Sequence, residues 1–174
     1  MASLLRVNDV KDLNGSDQLI IKQIVEVNNQ THYKGTQTSY TDLFSCAITP
    51  SSPSSKILIV AQLGIGKENN HSALARLVKK IGSGSFSAFG GGNTGNSSLD
   101  ANVWWNVRNT TYNVAPYTVP YLDSPNTTSE VTYKAQIRTT SSGAPYSVNQ
   151  TINETSNDYL SPIMSSIILF EVVA

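Results

Sequence analysis

The stretch Ile48–Ile65, ITPSSPSSKILIVAQLGI, constrains this chain more than any other. It opens with a polar turn, Thr49 to Ser55, holding Pro50 and Pro53, and continues into the most apolar run of the sequence, Ile57 to Ala61 and on through Leu63 to Ile65. The run is too short to cross a membrane as a helix. Its β-branched residues, bounded by the turn and by Gly64 and Gly66, make it a strand. A strand with one wet face alternates apolar with polar. This one is apolar on both faces, so one must meet the core and the other a second layer or another subunit. Pro162–Val173 repeats the pattern, with only Glu171 interrupting Ile167 to Val173. An exposed apolar face of that size is an aggregation liability in a monomer, and a closed cyclic oligomer removes it. Ile57, Ile59, Ala61 and Leu63 are therefore expected in the core. Leu58, Val60, Ile168, Phe170 and Val172 are expected to meet a neighbouring sheet or subunit.

The remaining segments are β-like at short spacing. Leu4–Val10 and Leu19–Val27 flank a turn centred on Asn14-Gly15, a strong hairpin signal. Val131–Thr139 has the cleanest period of two: Val131, Tyr133, Ala135 and Ile137 inward, Thr132, Lys134, Gln136 and Arg138 outward. Tyr117, Val119 and Tyr121 share a face in Tyr112–Leu122, whose Pro116 and Pro120 mark an edge or bulged strand. Ala73–Ile81 reads two ways. Leu74, Leu77, Val78 and Ile81 have helical spacing behind Ser72 as an N-cap, whereas the surrounding β segments favour a strand with Lys79 interrupting its inner face. Gly82–Ser98 is a glycine-rich surface loop, followed by Trp104-Trp105, whose side chains should point to opposite faces of a strand. About nine or ten strands and no secure helix imply an all-β antiparallel sandwich or barrel. Residues 1–28 stand apart as an N-terminal segment, and 29–174 form the main domain.

Composition excludes several classes of function. The chain of 174 residues is long enough for one domain with a real core. Only 14% of residues are charged and the formal net charge is zero, with no basic stripe in the sequence, so nucleic-acid binding is not expected. The single cysteine, Cys46, rules out an intramolecular disulfide and reads as a buried thiol. MASLLRVNDVKDL lacks the apolar core of a secretory signal, so the Asn-x-Ser/Thr triplets at Asn14, Asn29, Asn70, Asn96, Asn109, Asn126, Asn149 and Asn153 reflect abundance of those residues.

The order ITPSSPSSKILI, LVKKIGSGSF, YLDSPNTTSEVTYKAQIRT, SSGAPYSVNQT and SSIILFEVVA resembles a recurrent domain of phage tail-fibre and other virion proteins, especially of marine phages. LRVNDVKDLNGSDQLI resembles, more loosely, the short repeats of fibre shafts. The resemblance covers residues 37–174 well, and LDSPNTTS with TYKAQIR is its most specific part. It implies a trimeric jelly roll similar to tumour-necrosis-factor and complement-type heads, with Ala73–Ile81 as a strand. Leu58, Val60, Ile168, Phe170 and Val172 would then lie at the threefold interface. Residues 82–113 depart from the family pattern.

Chemistry is sparse. His32 and His71 lack a second ligand at metal spacing. There is no Gly-x-Ser-x-Gly elbow, and Gly64-Ile65-Gly66 and Gly82-Ser83-Gly84 precede no helix that would cradle a phosphate. Asp100, Asp123, Glu130, Glu154, Asp158 and Glu171 are scattered. No catalytic residue, cofactor, metal site or membrane insertion is expected. The expected function is non-enzymatic: a homotrimeric fibre or knob head on the exterior of a phage particle, docked to other virion proteins by residues 1–28 and attaching to a host glycan or protein. Trp104, Trp105, Asn109 and Tyr112 form the candidate receptor loop, with core packing as the competing role of each tryptophan. A capsid-decorating protein and a free carbohydrate-binding module are the alternatives.

Overall fold

The computed structural model describes residues 3–6, 20–67, 71–90, 102–108, 114–152 and 162–173. Among them are twelve strands and no helix. The count exceeds the expected nine or ten because several strands are pieces of two or three residues. The first sheet contains β1 (Ser3–Arg6), β2 (Ile20–Asn29), β3 (Tyr33–Gly35), β5 (Lys56–Lys67), β9 (Val114–Asp123), β11 (Tyr146–Val148) and β12 (Ser165–Val173). The second contains β4 (Thr41–Ile48), β6 (Ala73–Ile81), β7 (Ser87–Ala88), β8 (Trp105–Val107) and β10 (Val131–Thr139). All pairings are antiparallel, and from β4 onward the chain passes repeatedly from one sheet to the other, the connectivity of a jelly-roll sandwich.

β5 organises the first sheet. It pairs with β9 along one edge from Ile57 to Gly66, and along the other with β12 and then β11. β11 and β12 are thus two pieces of one line. β2 and β3 form a second broken line beside them, pairing with β12 and β11 respectively. β2 is therefore part of this sheet through Asn29, the position where the sequence suggested a boundary. β1 pairs with β2 from Ser3↔Glu26 to Arg6↔Gln23, and the expected Asn14-Gly15 turn lies outside the described residues.

Asn149 fills the place where both lines break. Its Nδ2 donates to the carbonyls of Asn29 (2.8 Å) and Thr31 (3.1 Å), and its Oδ1 accepts from Ser165 Oγ at 2.6 Å. Its backbone N–H donates to Gly64 O at 2.9 Å, and its carbonyl accepts from Ile163 N at 3.2 Å. The residue is fully buried with φ of 61°, a left-handed conformation that asparagine tolerates better than most residues. A Cβ on Gly64 would stand 2.5 Å from Ile163 and 3.2 Å from Asn149 Oδ1, so the backbone must come close here.

The core lies between the sheets. Ile57, Ile59, Ala61, Leu63, Ile65, Ile167 and Leu169 of the first meet Leu77, Val131, Tyr133, Ala135 and Ile137 of the second, all fully buried. Ala73–Ile81 is a strand, and its helical spacing has a physical cause. Leu74 and Val78 on its outer face are nearly as buried as Ala73, Ala75 and Leu77 on its inner face. Lys79 does occupy an inner position, where its Nζ meets both carboxylate oxygens of Asp123 at 2.7 and 2.8 Å. Asp123 also accepts from Tyr133 Oη at 2.8 Å. Burial, then the Asp123 charge, pushes the Tyr133 phenol up and keeps it a donor.

Candidate functional site

Three places could carry function: the tryptophan segment, the Glu171 turn and the outer faces of the two sheets. Trp104 and Trp105 do not point to opposite faces. β8 begins only at Trp105, so strand alternation does not govern the pair, and both rings join one aromatic cluster with Phe89, Tyr121 and Tyr133. Trp105 is 3% exposed and donates Nε1–H to Tyr117 O at 3.0 Å. Trp104 is half-buried and donates to Phe89 O at 2.9 Å. Gly90, with φ of 57°, lets these rings approach: a Cβ there would meet Trp104 at 2.9 Å and Tyr121 at 3.0 Å. Both indoles are thus tied into the sandwich, and substituting Trp105 would report on the core rather than on a surface. Asn109 and Tyr112 lie outside the described residues.

Glu171, which broke the apolar pattern of the last strand, has a defined role. Its carboxylate is buried and accepts from Ser51 N and Ser51 Oγ (2.6 Å each), Ser55 Oγ (2.7 Å) and Gln23 Nε2 (2.7 Å). The Thr49–Ser55 turn is thereby pinned to β12 and β2. Burial alone would raise the Glu171 carboxyl, but the hydrogen bonds from Ser51, Ser55 and Gln23 outweigh it and hold it below its ordinary value. A depressed folded-state value means that the stabilisation is present at neutral pH and is lost as pH falls through that value. Glu171→Gln is expected to cost roughly 1–3 kcal/mol at neutral pH. Urea unfolding across the acid range checks this: the gap between wild type and variant should close as pH falls, and a constant gap would contradict the assignment.

The other reactive groups are quiet. Cys46 is buried in the core, and burial pushes its thiol up to about 12, far from a nucleophile's range. A groove of about 320 Å³ is lined by Gln30, His32, Pro162, Ile163 and Met164, with His32 the one ionisable side chain among the described residues that line it. No group of three or more His, Cys, Asp or Glu side chains is placed to hold a metal among the described residues.

The outer face of the first sheet is assembled by register. Leu122, Leu58, Phe170 and Ile24 lie side by side across β9, β5, β12 and β2, and Pro120, Val60, Ile168 and Glu26 form the next row. Beyond them Thr118, Gln62, Ser166 and Asn28 turn the surface polar. Four strands at the usual spacing make an apolar plate roughly 14 Å wide. Leu122 is 49% exposed, while Leu58, Val60, Ile168, Phe170 and Ile24 are half-buried. Four of the five residues expected at an interface thus share one surface. Val172, beyond the register shift at Glu171/Val172, is already 6% exposed within the single chain.

The outer face of the second sheet has a different character. Arg76 and Lys80 of β6 lie beside Lys134 and Arg138 of β10. The Arg76 guanidinium sits 3.7 Å from the Tyr40 ring centroid, and Arg138 lies 5.5 Å from the same ring. Lys134 Nζ is 3.8 Å and Lys80 Nζ 5.4 Å from the Phe86 ring centroid. Asp42 accepts from Lys134 Nζ at 2.7 Å and from Gln136 Nε2 at 2.6 Å. The sequence reading found no basic stripe. Pairing of β6 with β10 builds one from residues more than fifty positions apart. Comparison with protein-family models and with curated proteins finds no match to this chain.

Proposed function

We propose that the chain is a non-catalytic phage virion protein whose sandwich is the head of a homotrimeric fibre or knob that attaches the particle to its host. The observation that carries this reading is the apolar plate of β9, β5, β12 and β2, which has Glu26 as its one charged side chain in two rows of four. A contiguous plate of that composition marks a contact surface, and copies of the same chain arranged about an axis cover it without leaving an open surface. The resemblance of LDSPNTTS and TYKAQIR to virion domains supports three copies and the phage setting. β1 and most of β2 belong to residues 1–28 and lie at the edge of the same sheet, where that segment would dock to the particle. Attachment then works by avidity, three weak sites acting together.

The test combines location with adsorption. Antibody against the chain should label intact particles on their exterior, and particles lacking the gene should adsorb poorly to host cells. Labelled particles with normal adsorption after deletion would replace attachment by capsid decoration. Absence from the particle would overturn the reading.

A further inference from the structure

We infer that the outer face of the second sheet is a binding surface for an anionic polysaccharide. Along β6 and β10 the cations alternate, Lys80, Lys134, Arg76, Arg138, so that each is a diagonal neighbour of the next or separated from it by one register position. Successive charges on one sheet face are spaced by roughly 7 Å, a repeat suited to carboxylates carried on successive sugar units. Among the described residues, Asp42 is the carboxylate within the face, and Glu130, whose carbonyl accepts from Gly82 N just before β10, borders its Lys80 end. In a chain of zero net charge, four cations against these two make a local excess.

Three features favour a glycan over other anions. The cations are held in place by two rings and by Gln136, which accepts from Arg76 Nε at 2.9 Å, so little side-chain freedom is lost on binding. Beside them on the same face lie Thr132, Gln136 and Ser45, hydroxyls and an amide that hydrogen-bond to sugar hydroxyls. The rings of Tyr40 and Phe86 are occupied by cations rather than offered to the stacked bases of a single-stranded nucleic acid. The inference deepens the attachment reading by naming its ligand class, and rests on that reading for the outward orientation of this sheet.

The experiment measures binding of the full chain to polygalacturonate, neutral dextran and duplex DNA at low and moderate salt, with sedimentation of the same samples. Expected is binding to polygalacturonate, none to dextran, weaker binding to DNA, and a loss of roughly tenfold or more as salt rises, because the contact is electrostatic. Lys80→Gln with Arg138→Gln should keep the melting temperature and lose at least roughly tenfold in affinity, while Lys56→Gln on the other sheet should change nothing. Failure to bind polygalacturonate, equal binding by the double variant, or tighter binding to DNA would overturn the inference. A trimer that ignores polygalacturonate contradicts this inference alone. A monomer that binds through these cations contradicts the threefold reading alone.

Discussion

Asn149→Ala is expected to lower the stability of the sandwich by roughly 3–5 kcal/mol. The side chain is fully buried and satisfies Asn29 O, Thr31 O and Ser165 Oγ where two strand lines break. Alanine leaves these three groups without that partner in a place hard for water to reach, and an unsatisfied buried polar group costs about 1–3 kcal/mol. It also places a residue poorly suited to positive φ at 61°. Asn149→Asp is expected to be worse still, since it replaces a donor facing two carbonyls with a buried, acceptor-only carboxylate. Ser165→Ala should cost less than either, because it removes one hydroxyl that bridges Asn149 Oδ1 and the Gly64 N–H. Urea unfolding at one fixed protomer concentration measures all three, the fixed concentration being needed wherever association contributes to stability. A loss below about 1 kcal/mol for Asn149→Ala would contradict its role.

Ile168→Glu is expected to dissociate the assembly while leaving the fold of each chain intact. Ile168 stands in the middle of the apolar plate, between Val60 and Glu26, and its side chain is outside the inter-sheet core. In a single chain the new carboxylate would face water at little cost. In a closed oligomer it would be buried once per subunit beside apolar groups, and an uncompensated buried charge costs about 3–5 kcal/mol. Repeated at each copy, that penalty works directly against association. The expected result is a monomer with the circular dichroism of the parent and a lower melting temperature, because the association term is gone. Leu58→Glu should act in the same direction. Unchanged mass in both variants would show that this plate is not the contact between subunits.

How much of this was legible in the sequence depends on the range of the interaction. The alternation of Val131–Thr139 reports a strand with one wet face, and its inner residues are fully buried. The double-sided apolar character of Ile57–Ile65 likewise reports a central strand with a second surface. Ala73–Ile81 was ambiguous because burial of Leu74 and Val78 on its outer face imitates a helical stripe. The tryptophan pair misled because alternation applies only inside a strand and β8 starts one residue too late for it. Glu171 showed only as a break in an apolar run, and Asn149 gave no local signal. Their partners lie up to 148 residues away, across connections that no short pattern records. The cationic face was hidden in the same way, since each strand carries ordinary solvent-facing lysines and arginines and only the β6–β10 register makes them neighbours.

The central claim is that the apolar plate of β9, β5, β12 and β2 is covered by copies of the same chain about a threefold axis. Sedimentation equilibrium of the wild-type protein at micromolar concentration tests it most directly. The predicted mass is three times that of the 18.8 kDa chain, with no dissociation on moderate dilution. A stable species of one chain mass, soluble and folded, would contradict it.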